Sequence, residues 1–367
     1  MNGFFATLDI LRWQHKEIPM ERIMEMEPLT VDIVQMRASL YEIGIRTGSL
    51  LKGKAVLDAY SQLLEDSLDA EEIKHVYKAF APHLLEELEG LAEGTGFSVE
   101  KSLKLFGGYG LKKLPIMGCT AFMTAKSYVR NYDFSPALYD SLFSVIQHNK
   151  GFASAGYNQQ GIGRLDGVNE CGLAVGLHFV SFNGYKKGLS AWNTVRILLE
   201  CCKSVEEAIL LLQELPHAAC YNFSLSDQKG AAVAETCPEQ IVIRQESREL
   251  GCFNMFESAE MKHRNKAGND SSQCRKEFVE TFKNSGMSTE ECFRLFADLQ
   301  KPLFFQEYTE LFGTLHTIAY DRETSCFMTA LAQAEDTFIF SMDDWKGGCD
   351  FSEARLAGMI EERENTT

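Results

Sequence analysis

Gly118-Cys119-Thr120 and, shortly after, Arg130-Asn131-Tyr132-Asp133 place a small residue, a thiol, a cation and a carboxylate within one hairpin's length of each other. Cysteine is the strongest side-chain nucleophile near neutral pH, but only as the thiolate, so it needs a base and a nearby positive charge. If the chain is cut before Cys119, the freed α-amine, with an ordinary pKa of about 7.7 to 8.0, supplies that base on the same residue. Arg130 lies eleven residues on and Asp133 fourteen, so a strand, a turn and a second strand bring both back beside the thiol. There the guanidinium favours the thiolate and the carboxylate orients the amine by hydrogen bonding. Taken singly, each residue also has a plainer reading: a core thiol, and a surface ion pair.

The elements that must position these residues follow from the hydrophobic period. Residues 1–118 read as helical, with apolar positions three and four apart at Ile33, Met36, Leu40 and Ile43, and again at Val56, Tyr60, Leu63 and Leu64. Gly90, Gly94 and Gly96 read as breaks, after which Ser98 caps a short helix from Val99 to Phe106. From Cys119 the period becomes two. Thr120 to Ala125 and Tyr128 to Tyr132 alternate as strands across a Lys126-Ser127 turn, and Phe152 to Tyr157 and Leu173 to Phe179 continue the sheet.

Two helices follow, from Ala191 to Cys202 and from a capping box at Ser204-Val205-Glu206-Glu207 to Leu215. A hairpin turns at 227–230, a strand runs from Gln240 to Arg244, and a polar loop from Lys262 to Ser272 leads into helices at Gln273 to Phe282 and Cys292 to Leu299. Strands at Leu315 to Tyr320, Cys326 to Leu331 and Phe338 to Phe340 close the chain. This alternation predicts an α+β fold: two mostly antiparallel sheets between helical layers, as a domain over 119–367 preceded by a helical segment over 1–118.

Composition narrows the function. The chain has 367 residues, 45% hydrophobic and 24% charged, enough to bury a sizeable core. Its formal charge of −16 argues against a sequence-independent grip on nucleic acid, which needs clustered cations. No basic segment leads into a long apolar run at Met1-Asn2-Gly3-Phe4-Phe5, and no stretch reaches a membrane span, so the expected location is the cytoplasm. Eleven cysteines, an odd number without a C-x-x-C pair, fit reduced thiols better than a disulfide framework or a zinc site. Signatures of phosphate loops, dinucleotide folds, zinc proteases and serine elbows are missing, and no cofactor is expected.

Cys119-Thr120, Arg130-Asn131-Tyr132-Asp133 and the run Gly163-Arg164-Leu165-Asp166-Gly167-Val168-Asn169-Glu170-Cys171-Gly172-Leu173-Ala174-Val175 together resemble the penicillin acyltransferase branch of the choloylglycine hydrolase superfamily of N-terminal nucleophile hydrolases. The resemblance covers roughly two thirds of the chain, with motif order kept. It implies an αββα sandwich and a precursor that cuts itself between Gly118 and Cys119. By the same resemblance Cys119 matches the nucleophile, Arg130 the arginine beside it and Asp133 the carboxylate holding the amine. Asn254, in Gly251-Cys252-Phe253-Asn254, falls at the oxyanion-hole asparagine, with the backbone N–H at His178 as the second donor and Arg275 at a further family arginine. One departure is Gly176-Leu177-His178-Phe179, where bile-salt hydrolases carry Asn.

Within that run, Gly167 and Gly172 read as turn residues with positive φ and Asn169 as a side chain bonding its own backbone. Tyr132, Phe134, Tyr157 and Trp192 are candidates for lining an acyl pocket or, equally, for core packing. The implied function is hydrolysis of a linear amide in a small N-acyl amine or amino acid, through an acyl-enzyme on Cys119. Acyl transfer from an acyl-CoA thioester to an amine is the alternative, and a non-catalytic binding protein of the same fold is the second. The implied partners are the small-molecule acyl amide or thioester, the chain's own cleaved N-terminal segment and a homo-oligomer.

Overall fold

The β-branched and aromatic alternation on either side of Lys126 folds as a hairpin, and everything at the centre of the molecule is built on it. The computed structural model describes residues 26–62, 64, 68–111, 113, 118–246, 249–308 and 312–361. Their order is β1 (Met26–Arg37), then α1 (Leu40–Leu51), α2 (Ala55–Gln62), α3 (Ala70–Phe80), α4 (Leu84–Thr95) and α5 (Val99–Phe106). The hairpin β2 (Gly118–Thr124) and β3 (Ser127–Phe134) leads to β4 (Leu142–Gln147), β5 (Ser154–Gln159), β6 (Gly163–Arg164), β7 (Asp166–Asn169) and β8 (Ala174–Ser181). Helices α6 (Ala191–Cys201) and α7 (Val205–Glu214) precede β9 (Cys220–Asp227), β10 (Gly230–Cys237), β11 (Gln240–Glu246) and β12 (Glu249–Cys252). The chain ends through α8 (Asp270–Phe282), α9 (Thr289–Ala297), β13 (Gln306–Glu307), β14 (Phe312–Asp321), β15 (Cys326–Leu331), β16 (Phe338–Ser341), α10 (Met342–Lys346) and β17 (Arg355–Glu361).

These strands form two sheets. One runs β11-β10-β9-β8-β7-β5-β4-β1-β17, with β6 on β5; the other runs β12-β2-β3-β14-β15-β16, with β13 on β14. All pairings are antiparallel except β1 with β4. The inward faces of both sheets share one core, in which Cys119, Ala121 and Tyr132 meet Val175, Leu177 and Phe223. Helix α6 covers the outside of the first sheet, and α8 and α9 cover the outside of the second, where Phe122 and Val129 pack against Val279, Phe293 and Phe296. The architecture is therefore α+β, two sheets between helical layers.

The helical reading of the first segment needs correction at its start. Ile33 and Met36 lie in β1, a strand held between β4 and β17, not on a helix. The three- and four-residue spacing runs across the boundary from Ile33 and Met36 of β1 into Leu40 and Ile43 of α1, which makes one helical pattern out of two elements. Residues 1–25 and Leu63 lie outside the described residues.

Gly90 and Gly94 do not break the pattern; they sit inside α4. A Cβ at Gly90 would lie 2.1 Å from the Tyr41 carbonyl oxygen, and one at Gly44 of α1 would lie 2.2 Å from that of Glu87, so α1 and α4 pack backbone on backbone. Only Gly96 ends the helix, in the left-handed conformation at φ 79°. Gly167 lies in β7 rather than in a positive-φ turn, while Gly172 has φ 78° and Asn169 Oδ1 accepts from the N–H of Cys171 and Leu173. Ser204 caps α7, but the Glu207 carboxylate reaches the N–H of Lys203 instead of closing the box. β4 and β17 were missed in the sequence: β4 is buried but for Gln147, and β17 alternates in burial while Ala357, Gly358, Met359 and Ile360 blur the period in its sequence.

The first segment is locked to the rest by buried charge. Arg196 of α6 meets Glu87 of α4 at 2.5 Å and Glu200 at 2.5 Å, all three side chains being out of contact with water. Burying such charges costs free energy that only close pairing offsets. Glu87→Ala is accordingly expected to destabilise the full chain by about 3 kcal/mol, because Arg196 keeps Glu200 but loses its second carboxylate. Urea unfolding monitored by circular dichroism measures this, and an unchanged midpoint would show that the pair does not hold the segment.

Candidate active site

The β2–β3 register sets the geometry. Cys119 lies opposite Tyr132, Ala121 opposite Arg130, and Gly118 opposite Asp133. Since side chains alternate across a strand, Cys119, Arg130 and Tyr132 point between the sheets, while Thr120, Asn131 and Asp133 point to the α8–α9 layer. The thiol and the carboxylate predicted to serve one residue thus lie on opposite faces of the hairpin, with the Gly118-Cys119 peptide between them.

On the inner face, Arg130 Nη2 lies 3.1 Å from Cys119 Sγ and 2.6 Å from the Leu177 carbonyl oxygen. Its Nη1 is ion-paired to Asp166, whose Oδ2 also accepts from His316 Nε2 at 2.9 Å. His316 Nδ1 is 2.8 Å from Tyr139 Oη, and the imidazole stacks on Tyr157 with centroids 3.6 Å apart. Burial raises the Asp166 carboxyl, but His316 and Arg130 outweigh it and hold it below its ordinary value. Burial holds the His316 imidazole neutral against the pull of Asp166, so His316 donates through Nε2 and accepts from the tyrosine at Nδ1.

Burial pushes the Cys119 thiol up to about 12, with Arg130 pulling the other way. Cys119 is therefore a neutral thiol inside a low-dielectric site, with a guanidinium 3.1 Å from its sulfur.

On the outer face, Asp133 Oδ1 accepts from Thr314 Oγ1 at 2.7 Å, while Oδ2 is buried without a partner. A Cβ at Gly118 would lie 2.7 Å from that Oδ2, so a side chain before the thiol would push the Asp133 carboxylate aside. Burial raises the Asp133 carboxyl, opposed by Arg275 and Thr314.

Around the main chain of Cys119, Asn254 Oδ1 accepts its N–H at 2.7 Å, and Arg275 Nη1 donates to its carbonyl oxygen at 2.7 Å and to Thr120 Oγ1 at 2.6 Å. Arg275 Nη2 also donates to Asn254 Oδ1 at 3.0 Å, and Asn254 Nδ2 donates to the Phe179 carbonyl oxygen at 2.8 Å. Two donors converging on Oδ1 and a carbonyl facing Nδ2 fix the amide's orientation. Asn254 thus touches Cys119 through its oxygen rather than through the N–H₂ that sequence reasoning turned toward an oxyanion.

At His178, Leu177 N–H faces Leu165 at 3.3 Å, so alternation turns the next N–H toward β9, where His178 is paired with Asn222. The His178 side chain is buried with Nε2 2.9 Å from Ser224 Oγ, and burial keeps it neutral.

The aromatic candidates divide. Tyr132 and Phe134 are buried beside the hairpin, and Tyr132 stacks on His316 at 5.2 Å. Tyr157 is engaged by Thr329 and His316, which makes it part of the support behind Asp166. Trp192 bonds Gln160 at 2.9 Å and, with Phe182, Tyr185, Leu111 and Tyr221, lines a narrow cleft of about 30 Å³. A groove of about 640 Å³ runs along β15, β16 and β17, and Cys119 is not among its lining residues. Sequence reasoning missed Asp166 and His316 as members of the Cys119 network. Asp166 sits in the quoted 163–175 run, but nothing in sequence links His316, 150 residues further on, to it.

Three buried histidines, His178, His217 and His316, are held neutral when folded, His217 at about 4. Unfolded, they take up protons near their ordinary value of 6.5, so the unfolded chain binds more protons and stability falls as pH drops below about 6.5. Raised carboxyls such as Asp133 and Glu87 act in the opposite sense, so the informative comparison is within one position. His316→Gln is expected to weaken the loss of stability between pH 7 and pH 5 by up to about 1.4 kcal/mol per pH unit. Urea midpoints at the two pH values test it, and an equal loss in both proteins would show that His316 is not neutral in the folded state.

Similarity to known proteins identifies the family. Among solved structures, a mutant of conjugated bile acid hydrolase from Clostridium perfringens is similar at 13% identity, over 69% of this chain and 98% of that one, with a TM-score of 0.43. Penicillin V acylase from Agrobacterium tumefaciens is similar at 13% identity, over 62% of this chain and 86% of that one, with a TM-score of 0.38. No curated protein matches the chain. The family model for acyl-coenzyme A:6-aminopenicillanic acid acyl-transferase matches residues 123–336, more than half of the chain. The chain belongs to that family of enzymes.

Proposed function

We propose that the protein is a self-processing cysteine amidohydrolase whose one thiol first cuts its own chain and then a small N-acyl amine or amino acid. The observation that carries this reading is the Arg130 guanidinium 3.1 Å from Cys119 Sγ, with Asn254 and Arg275 gripping the main chain of the same residue. Family membership supports acyl transfer as the chemistry.

In the first step Cys119 Sγ attacks the Gly118 carbonyl carbon. The C–S bond forms, the C–N bond breaks, and the thiol proton ends on the departing nitrogen, giving a thioester that water hydrolyses. Gly118 leaves the Asp133 carboxylate in place beside the bond that is cut. The released α-amine stays on Asn254 Oδ1, with Asp133 Oδ2 as the second acceptor on its other side.

In the second step the α-amine takes the thiol proton and Arg130 stabilises the thiolate, which attacks the substrate amide. The oxyanion is assigned to the second hydrogen of Asn254 Nδ2, since the five N–H groups of Arg275 are engaged by Ser271, Cys119, Thr120, Asn254 and Ser272 and the His178 N–H is turned into the β8–β9 ladder. The amine leaves with a proton, and water releases the acid from the acyl-enzyme. Transfer to an amine instead of water is the second reading, favoured by the family match. The segment ending at Gly118 stays bound after the cut, because β1 is an internal strand.

Denaturing mass spectrometry of the purified protein is expected to show two chains in place of one of 41.3 kDa. Cys119→Ala is expected to leave the precursor whole and to abolish turnover. Amide turnover by an uncut wild-type chain would refute the mechanism. Build-up of amide product, when acyl-CoA and an amine are supplied together, would move the assignment to transfer.

A further inference from the structure

One cation beside the site has no role in the steps above. Lys266, in the polar loop before α8, is half-buried, with Nζ 5.9 Å from the centroid of the Phe179 ring. Nearby cations have carboxylate partners: Arg264 and Lys186 share Glu239, at 2.8 Å and 2.6 Å, and Lys276 pairs with Glu257. No carboxylate among the described residues pairs with Lys266. In a chain with 52 acidic and 36 basic residues, a half-buried lysine left without a counter-charge is an exception. Burial pulls its ammonium below the ordinary lysine value, Arg275 adds to that, and Cys119 opposes it.

The ring under Lys266 belongs to an aromatic wall. Phe179 meets Phe182 at 4.7 Å and Tyr221 at 5.4 Å, and Phe182 meets Tyr185 at 5.9 Å. Phe182, Tyr185 and Tyr221 line the cleft that contains Trp192, and the Phe179 carbonyl is tied to Asn254, hence to Cys119. The wall carries two cations: Lys113 lies 5.7 Å from the Phe182 ring and 5.4 Å from that of Tyr185, and Lys266 lies over Phe179, the ring whose residue is tied to Asn254. Its complement is a ligand with an apolar acyl chain and an anion close to the scissile bond.

We propose that Lys266 binds a carboxylate on the amine half of the substrate, so that the protein acts on N-acyl amino acids in preference to neutral N-acyl amines. This rests on the reading of Cys119 as the acyl-accepting thiol. Lys266 is a specificity residue: it holds the leaving half and moves no proton.

The test compares N-octanoylglycine, N-octanoylglycinamide and octanoyl-CoA on the wild type, Lys266→Gln and Lys266→Arg, by steady-state kinetics and by titration calorimetry. For the wild type, N-octanoylglycine is expected to bind about tenfold tighter than its amide. Lys266→Gln should remove that advantage through KM with kcat little changed, and Lys266→Arg should keep most of it. Equal binding of glycine and amide ligands by the wild type, binding of neither, or an equal loss on both in Lys266→Gln would overturn the proposal. A loss in Lys266→Gln confined to octanoyl-CoA would also overturn it, assigning the lysine to thioester phosphates. A calorimetric preference for the carboxylate that depends on Lys266, in a protein that turns over none of the three, would uphold the anion site and sink the amidohydrolase reading instead.

Discussion

Arg130 is the residue on which the site depends. It is buried without access to water, it lies 3.1 Å from the Cys119 sulfur, and its charge is returned by Asp166 on the far side. A guanidinium in that position is tolerable only with a carboxylate close by, and Asp166 is in turn held ionised by His316 as well as by Arg130. His316 is fixed by Tyr139 and by the stack on Tyr157. The field felt by the sulfur is thus set by residues of both sheets: β2, β3 and β14 on one side, β5 and β7 on the other. Neither sheet alone could hold a cation against that thiol.

The same logic governs the first segment. Its helices contribute Glu87 to the buried pair with Arg196, and its strand β1 joins β4 to β17. A piece of chain that supplies an internal strand and half of a buried ion pair is structural in the folded protein, whatever happens to the peptide bond that follows it. Close approach of α1 and α4 through Gly44 and Gly90 makes the helical part rigid rather than a loose cover.

Much of this was legible in the sequence, and for identifiable reasons. The β2–β3 hairpin announced itself because Thr120 to Tyr132 alternates cleanly around a polar turn, and the register follows from that turn. The serine caps at Ser98 and Ser204 mark α5 and α7 through their side-chain bonds. What stayed hidden were β1, whose Ile33 and Met36 run on at helical spacing into Leu40 and Ile43 of α1, and β4, buried but for Gln147. Also hidden were contacts that join distant strands, as between Asp166 and His316. Lys266 is invisible in the same sense: one lysine in a polar loop carries no signal until the loop is seen folded over Phe179.

The pairing of β1 with β17 places Met26 opposite Glu361, so the two outermost described residues of the sheet are neighbours in space. A short linker from 361 to 26 would therefore close the sequence into a ring without moving a strand. Opening that ring between Gly118 and Cys119 would yield a circular permutant in which, once the initiator methionine is removed, one terminal residue carries both the thiol and the α-amine, with β1 and β17 joined as they lie.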